Sequence, residues 1–374
     1  MLRNIVYLSI TAFAVLVLAS CRNKASIYYG DAEVIEIPKT VTESIFDIAE
    51  NYRYVTLDVG DNLAAAIGGI DKVRVFRDKI YVMDIFTANK LLIFDKDGTF
   101  LKKVSRKGKG PREYVELTTF EIDYHKEEIL LKDNVGGKVL VFNLDGDYKH
   151  TFECSIWSDG IAVLPNGNIV HGISGLPIHN IEVGSYKLII CDSENNILER
   201  HIDADVLFSY TSQNFLNPGF DGTITFAPQF MNDVFRVSKD GVEHIYTINF
   251  TDMLDIKDIP ELNNPNNLMD FFRSPLAQKM RFVGNHADSE DYFCLTYEHN
   301  SRRYTVYYNK NTGMTVATDD RLCGQNLTFD EDGNIWGSIM ETSLFFVADS
   351  EKSAELREAI HKSGNPIVVT YTLK

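Results

Sequence analysis

The segment Lys107–Tyr114 holds the side chains best suited to binding an anionic group. Its two glycines let the backbone bend closely, and its lysines and arginine are cationic donors. The Gly-x-Gly spacing lacks the Lys-Ser/Thr of a P-loop and the strand-to-helix setting of a dinucleotide site. So short a motif favours the alternative, a structural turn. In that case Glu113 and Tyr114 would pack between neighbouring structural repeats. The candidate ligand-binding residues of this segment are Lys107, Lys109, Arg112, Glu113 and Tyr114.

Asp84, Asp133 and His171 are the other candidate ligand-binding residues, because each comes at the end of a short apolar run. A metal ion bound there would need several more oxygen donors from elsewhere in the chain. The Asp-rich stretches 95–98 and 330–333 resemble the start of a calcium loop, but the later ligands are absent at the required spacing. Hairpin turns explain them better, so the sequence predicts no metal site.

No catalytic set is recognisable, so the sequence favours a binding protein over an enzyme. The nine histidines include no HExxH pair, and no serine lies in a Gly-x-Ser-x-Gly elbow. We predict no cofactor, with calcium or another divalent ion as the alternative. Trp157 and Tyr210 could stack on a sugar or a peptide, although packing in the core is the favoured role for both.

Two turn signals recur along the chain and indicate what positions these residues. The first is a polar turn that leads into a short apolar strand, and it occurs six times. The second is an apolar strand that ends in a turn rich in Asp, Asn and Gly, as in Leu92–Gly98 and Val139–Gly146. Such turns permit positive φ and match the twist of a hairpin. Each repeat therefore predicts two hairpins, which is typical of a propeller blade.

The sequence thus predicts an all-β, six-bladed propeller of four-stranded antiparallel blades. The sixth blade is split: Leu327–Met340 supplies two strands and Pro366–Leu373 the third, while Tyr52–Leu57 closes the ring from the N-terminal end. The domain is expected over residues 34–374, with an insertion at about 251–281 and a short amphipathic helix at about 350–362. A pair of β-sandwiches is the competing fold, but it does not need six similar units.

The N-terminus predicts export and a lipid anchor. A short positive region and an apolar run end in Leu18-Ala19-Ser20-Cys21, which closely resembles the lipobox of bacterial lipoproteins. That resemblance implies a signal peptide over residues 1–20, diacylglycerol on Cys21 and a tether over 21–33. The apolar run is short for a membrane-spanning helix. The residues that follow, Arg22–Lys24, are not acidic, which favours the periplasmic face of the outer membrane over the cell surface.

Charge and cysteine content exclude further classes of function. The formal net charge of −16 repels phosphate backbones, so nucleic acid is not an expected partner. The remaining cysteines form no CxxC pair and lie in or beside apolar runs, where a free thiol acts as a small hydrophobe. A disulfide is the alternative outside the cytoplasm. These cysteines are Cys154, Cys191, Cys294 and Cys323.

From about Val34 onward the chain resembles the six-bladed propeller lipoproteins of Bacteroidetes, which are similar to NHL-repeat propellers. Residues 108–114 are similar to that family's Gly-x-Gly-Pro-x-Glu-Tyr/Phe motif, and Asn365-Pro366 and the final Lys374 also look like the family. The resemblance implies a cell-envelope protein of undefined activity.

We expect a monomeric binding or scaffold module that uses the loop-rich channel face and whose partner is an envelope glycan, peptide or protein. Its only membrane contact would be the lipid anchor. The alternative is a metal-dependent hydrolase or lyase of the lactonase type.

Overall fold

A computed structural model describes residues 27, 30–38, 43–60, 62, 66–104, 106–174, 183–203, 214–254, 265–318, 321–344 and 351–374. Six sheets follow one another around a central axis, and five of them have four strands each. The first strands of neighbouring sheets contact each other around that axis. The prediction of a six-bladed β-propeller is confirmed.

The strands are numbered in chain order, and each blade is given from its innermost strand outward. Blades 1 to 3 consist of β3 (Lys72–Phe76), β4 (Lys79–Asp84), β5 (Lys90–Asp95) and β6 (Phe100–Val104); β7 (Thr119–Asp123), β8 (Glu128–Asp133), β9 (Lys138–Asn143) and β10 (Tyr148–Glu153); and β11 (Gly160–Val163), β12 (Ile169–Gly172), β13 (Tyr186–Cys191) and β14 (Ile197–Asp203). Blades 4 to 6 consist of β15 (Leu216–Pro218), β16 (Ile224–Phe226), β17 (Asp233–Ser238) and β18 (Gly241–Asn249); β19 (Arg281–Asp288), β20 (Tyr292–His299), β21 (Arg302–Asn309) and β22 (Met314–Thr318); and β23 (Gln325–Phe329), β24 (Ile335–Ile339), β25 (Ile367–Leu373) and β2 (Ala49–Thr56).

The tight turns between strands share one local device. At the start of the turn an Asp or Asn side chain accepts the backbone N–H groups two and four residues later. Asp95 accepts from Asp97 (3.1 Å) and Thr99 (2.8 Å) in this way. The same pattern begins at Asn143, Asp192 and Asp330. The Asp-rich stretches therefore act as hairpin turns, and Gly98 and Gly146 take the positive φ that these turns need.

The sixth blade is built from both ends of the chain, as predicted. β2 pairs antiparallel with β25, from Ala49 opposite Leu373 to Thr56 opposite Ile367. The buried Asn365 secures this closure, because its Oδ1 accepts from Ile67 N at 3.0 Å and its Nδ2 donates to Leu57 O at 3.1 Å. A ring closed in this way leaves no blade unpaired with its neighbour.

One strand near the start of the domain was not predicted to belong to any blade. β1 (Glu33–Glu36) pairs in parallel with β18 at the outer edge of blade 4, with Glu33 opposite Tyr246 and Glu36 opposite Asn249. Ile27 packs against apolar side chains shared by blades 3 and 4. The residues just before the propeller are therefore bound to it near blade 4.

The helices in the described ranges are short, and four of them are α-helical. They are α1 (Ile45–Ile48), α2 (Pro265–Arg273), α3 (Glu341–Leu344) and α4 (Glu351–Ser363). α2 lies in the connection from blade 4 to blade 5, and α3 and α4 lie between β24 and β25. α4 buries Leu356 and Ile360, which are four residues apart on one side of the helix.

Candidate binding face

The two faces of the propeller differ in the length of their connections. We call one face the lower face. It carries the links from first to second strands and from third to fourth strands, and these are turns of two to five residues. The opposite face, here the upper face, carries the links between blades and those between second and third strands. It includes the long segments 250–280 and 340–366. Ligand-binding loops are disproportionately of this long, scaffold-supported kind.

Asp84 and Asp133 lie at the upper ends of their second strands, but both carboxylates are buried and hold backbone. Asp84 accepts N–H groups from Gly68 (2.8 Å), Thr87 (3.1 Å) and Ala88 (2.9 Å). Asp133 is the equivalent residue of blade 2 and accepts three N–H groups in the same manner. Each therefore ties the incoming link between blades to the loop after its own strand, and neither faces a ligand at the surface.

His171 is also buried, inside blade 3. Its Nδ1 lies 3.0 Å from Ser158 Oγ, and its Nε2 lies 3.9 Å from Cys154 Sγ. Burial, together with the nearby Lys132 ammonium, lowers the pKa of His171 to about 3. The imidazole is thus neutral at physiological pH and acts as a core side chain rather than as a surface ligand.

The Lys107–Tyr114 segment lies on the upper face, because it belongs to the link from β6 to β7. The segment closes on itself, since Gly108 N donates to Tyr114 O at 2.8 Å and Glu113 Oε2 accepts from Gly110 N at 2.9 Å. A Cβ on Gly108 would lie 2.0 Å from Glu113 Oε2, so a larger residue there would displace the Glu113 carboxylate from the loop. Glu113 therefore holds the loop.

The two ends of that loop make different contacts. Tyr114 is fully buried and donates its hydroxyl to Asn89 O at 2.8 Å, which links blade 2 to blade 1. Lys107, Lys109 and Arg112 are exposed. The Arg112 guanidinium lies 5.2 Å from the centre of the Tyr148 ring, on the outermost strand of blade 2. The basic side chains that remain available thus lie at the rim of the propeller.

The central channel is closed by a buried ionic cluster that sequence reasoning missed. Arg74 of β3 makes a bidentate ion pair with Glu121 of β7, at 2.7 and 2.8 Å. The same guanidinium donates to Asn214 Oδ1 (3.0 Å) and Asn217 Oδ1 (2.7 Å), so it crosses the axis from blade 1 to blade 4. Lys72 Nζ lies 2.8 Å from Glu121 Oε2.

This cluster holds two cations against one carboxylate, and all three groups are buried. Desolvation lowers the pKa of Lys72 to about 8, while the Glu121 charge opposes that shift and the Arg74 charge adds to it. The Arg74 and Lys72 cations hold the pKa of the Glu121 carboxyl below its ordinary value despite its burial. Lys72 and Arg74 are alternate residues of β3, so their side chains lie on one face of the strand, and this is the one signal of the cluster in the sequence.

A cavity of about 570 Å³ opens on the upper face between blades 5 and 6. Three arginines and one glutamate dominate its walls, and neutral amides and a hydroxyl complete them. The lining residues are Glu298, Asn300, Ser301, Arg302, Arg303, Arg321 and Gln325. The β20–β21 turn, which forms one side, has positive φ at both Asn300 (51°) and Ser301 (60°). Gln278 supports that turn through Asn300 N (2.9 Å) and Ser301 Oγ (3.2 Å).

The other sequence-based candidates that the structure describes do not line this cavity. In the described residues, no three or more His, Cys, Asp or Glu side chains come together as a metal-binding group. Cys154, Cys191, Cys294 and Cys323 are free thiols, and all four are buried. Trp157 is half-buried in the link from blade 2 to blade 3. Tyr210 and Cys21 lie outside the described residues.

The fold and the face together define a six-bladed β-propeller whose channel is closed and whose long connections lie on one side. The chain belongs to the family described as a domain of unknown function, DUF4934, whose model matches residues 32–372. No curated protein matches the sequence. In the part of the chain that the structure describes, no helix is long and apolar enough to span a bilayer.

Solved structures from Bacteroides share the fold. A protein of Bacteroides fragilis, described as exported, superposes with a TM-score of 0.75 at 18% identity, over 91% of this chain and 99% of its own. A member of the DUF4221 family from Bacteroides vulgatus gives a TM-score of 0.54 at 8% identity, over 87% of this chain and 97% of its own. Identities this low establish the propeller architecture alone.

Proposed function

We propose that the protein is a lipid-anchored module of the cell envelope that binds its partner through the upper face. The observation that carries this proposal is the asymmetry between the faces. The lower face consists of turns of two to five residues, while the upper face bears the long connections, the basic loop and the cavity. The buried ionic cluster closes the channel, so a ligand would meet the surface rather than pass through the ring.

The location of the module rests on the sequence of its first residues. The lipobox ending at Cys21 would attach the chain to a membrane, and β1 would bind the following segment to blade 4. Cys21→Ser should move the protein from the membrane fraction to the soluble fraction without changing its melting temperature. A mutant that still fractionates with membranes would contradict the anchor.

The binding face can be tested separately by site-specific photocrosslinking in cells. A photoreactive residue at Arg112 or Arg302 reports on the upper face, and one at Asp240, in the β17–β18 turn, reports on the lower face. All three positions are exposed, so substitution should leave the fold intact. We expect crosslinked envelope material from the upper positions only. Equal crosslinking from Asp240 would refute a dedicated binding face.

A further inference from the structure

We propose that the cavity between blades 5 and 6 binds a small, hydroxylated oxyanion, that is, a compound with a carboxylate or phosphate group and neighbouring hydroxyls. This inference deepens the proposed function, because the cavity opens on the same upper face. Its volume of about 570 Å³ lies in the range of small-molecule sites.

The glutamate in the cavity wall does not cancel the charge of the arginines. Glu298 Oε1 accepts from Arg303 Nε at 2.9 Å, and its Oε2 is paired with the buried Arg281. One carboxylate thus faces two guanidinium groups before Arg302 and Arg321 are counted. The lining side chains, three arginines and one glutamate, carry a formal charge of +2 on a chain of net charge −16, and Glu298 is already paired with Arg303 and Arg281, so it does not neutralise Arg302. Asp319 and Asp320, which precede Arg321, lie outside the described residues and are not in this count.

The arginines at this wall differ in their contacts. Arg281 lies 5.8 Å from the Phe271 ring and 5.7 Å from the Phe272 ring of α2, so the insertion between blades 4 and 5 supports the Glu298–Arg303 pair. Arg302 is exposed, and its side chain makes no ion pair in the part of the chain that the structure describes. It is the guanidinium most able to meet an incoming anion.

The ligand class follows from the donors. Guanidinium groups bind the oxygens of carboxylates and phosphates in a bidentate manner, which a single lysine cannot do. Asn300, Ser301 and Gln325 present amides and a hydroxyl of the kind that binds alcohol groups. An oxyanion that carries hydroxyl groups satisfies both parts of the wall, whereas a neutral polyol satisfies only one.

Calorimetric titration of the mature protein with glucuronate, glucose 6-phosphate and glucose tests the inference. We expect glucuronate or glucose 6-phosphate to bind and glucose to bind at least tenfold more weakly, and the tighter anion identifies the preferred oxyanion. Arg302→Gln should weaken that binding about tenfold, the usual effect of one charge-assisted hydrogen bond, with an unchanged melting temperature. Arg302→Lys should restore part of it.

Arg77→Gln is the matched control, because it removes an exposed arginine from the β3–β4 turn of the lower face and should leave the affinity unchanged. Arg112→Gln tests the other basic position of the upper face. If Arg112→Gln weakens binding and Arg302→Gln does not, the upper face binds anions elsewhere, so the cavity inference fails while the proposed function stands. If neither anion binds more tightly than glucose, the cavity inference is wrong, and crosslinking from the upper face still decides the proposed function.

Discussion

Removing the charge of Glu121 should destabilise the whole propeller, because this carboxylate is the only described anion paired with two buried cations at the axis. Glu121→Gln keeps the shape of the side chain and leaves Lys72 and Arg74 without their counter-ion. Breaking a buried pair from one side typically costs about 3–5 kcal/mol. At roughly 0.7 kcal/mol per kelvin of unfolding entropy for a domain of this size, the melting temperature should fall by about 4–7 °C.

Lys72→Met should not destabilise the propeller. It removes the excess cation while leaving the bidentate Arg74–Glu121 pair intact, so its effect on stability should be neutral or favourable. Glu127→Gln is the matched surface control, since the Arg77–Glu127 pair is 57% and 47% exposed. That control should change the free energy of unfolding by no more than about 1 kcal/mol.

The pH dependence provides an independent check on Lys72. The folded pKa of about 8 lies below the ordinary value of 10.5, so between these values the unfolded chain binds more protons than the native protein. The stability of the wild type should therefore rise with pH across this window, relative to Lys72→Met. A shift of this size corresponds to on the order of 3 kcal/mol. Thermal melts of the wild type and Lys72→Met at pH 7, 8, 9 and 10 give the comparison.

Two outcomes would refute the role assigned to the axial cluster. One is an equal melting temperature for the wild type and Glu121→Gln. The other is a loss of stability in Lys72→Met as large as in Glu121→Gln.

Three further outcomes are expected. Deletion of Ile367–Lys374 should open blade 6 and cause aggregation or a much lower melting temperature; a soluble deletion mutant that melts normally would contradict closure by β25. Asp133→Ala should cost about 2–4 kcal/mol, because three backbone N–H groups lose their acceptor, whereas Asp145→Ala in an exposed turn should cost little; chemical denaturation measures both. His286 is buried with its pKa lowered to about 3 by desolvation, so the native protein binds fewer protons than the unfolded chain between pH 3 and 6.5. The stability of the wild type should therefore fall as pH drops through this window, and that of His286→Phe should fall less steeply. Acid titrations of both proteins followed by circular dichroism measure this, and an equal dependence of stability on pH in the two would contradict it.

The architecture was predictable because its signals are local. The Asp97-Gly98 and Asp145-Gly146 turns specify hairpins by their own backbone preferences, and the repetition of these hairpins predicts blades. The closure of blade 6 was predictable by counting strands, since the last repeat lacked one and a suitable strand lay near the N-terminus. β1 was not predicted because four residues, two apolar ones between two glutamates, carry neither alternation nor a turn signal of their own.

The candidate site was less predictable because its contacts join distant parts of the chain. Arg74 meets Glu121 and Asn214 across 47 and 140 residues, and the alternation of Lys72 and Arg74 in β3 does not show by itself whether they face the axis or the solvent. Asp84 and Asp133 were placed at the correct ends of their strands, but sequence could not show that backbone N–H groups already occupy their carboxylates. The Arg302–Arg303 pair was not identified from the sequence, since its cavity exists only once blades 5 and 6 meet.

Closure of the ring by both ends of the chain also affects when the protein can fold. Ala49 and its partner Leu373 are separated by almost the whole domain, so blade 6 is incomplete until the last residues have been made. At about 5–20 residues per second, that interval is roughly 16–65 s of synthesis. During this time the N-terminal strand has no partner, and the nascent chain stays unfolded at its first blade boundary.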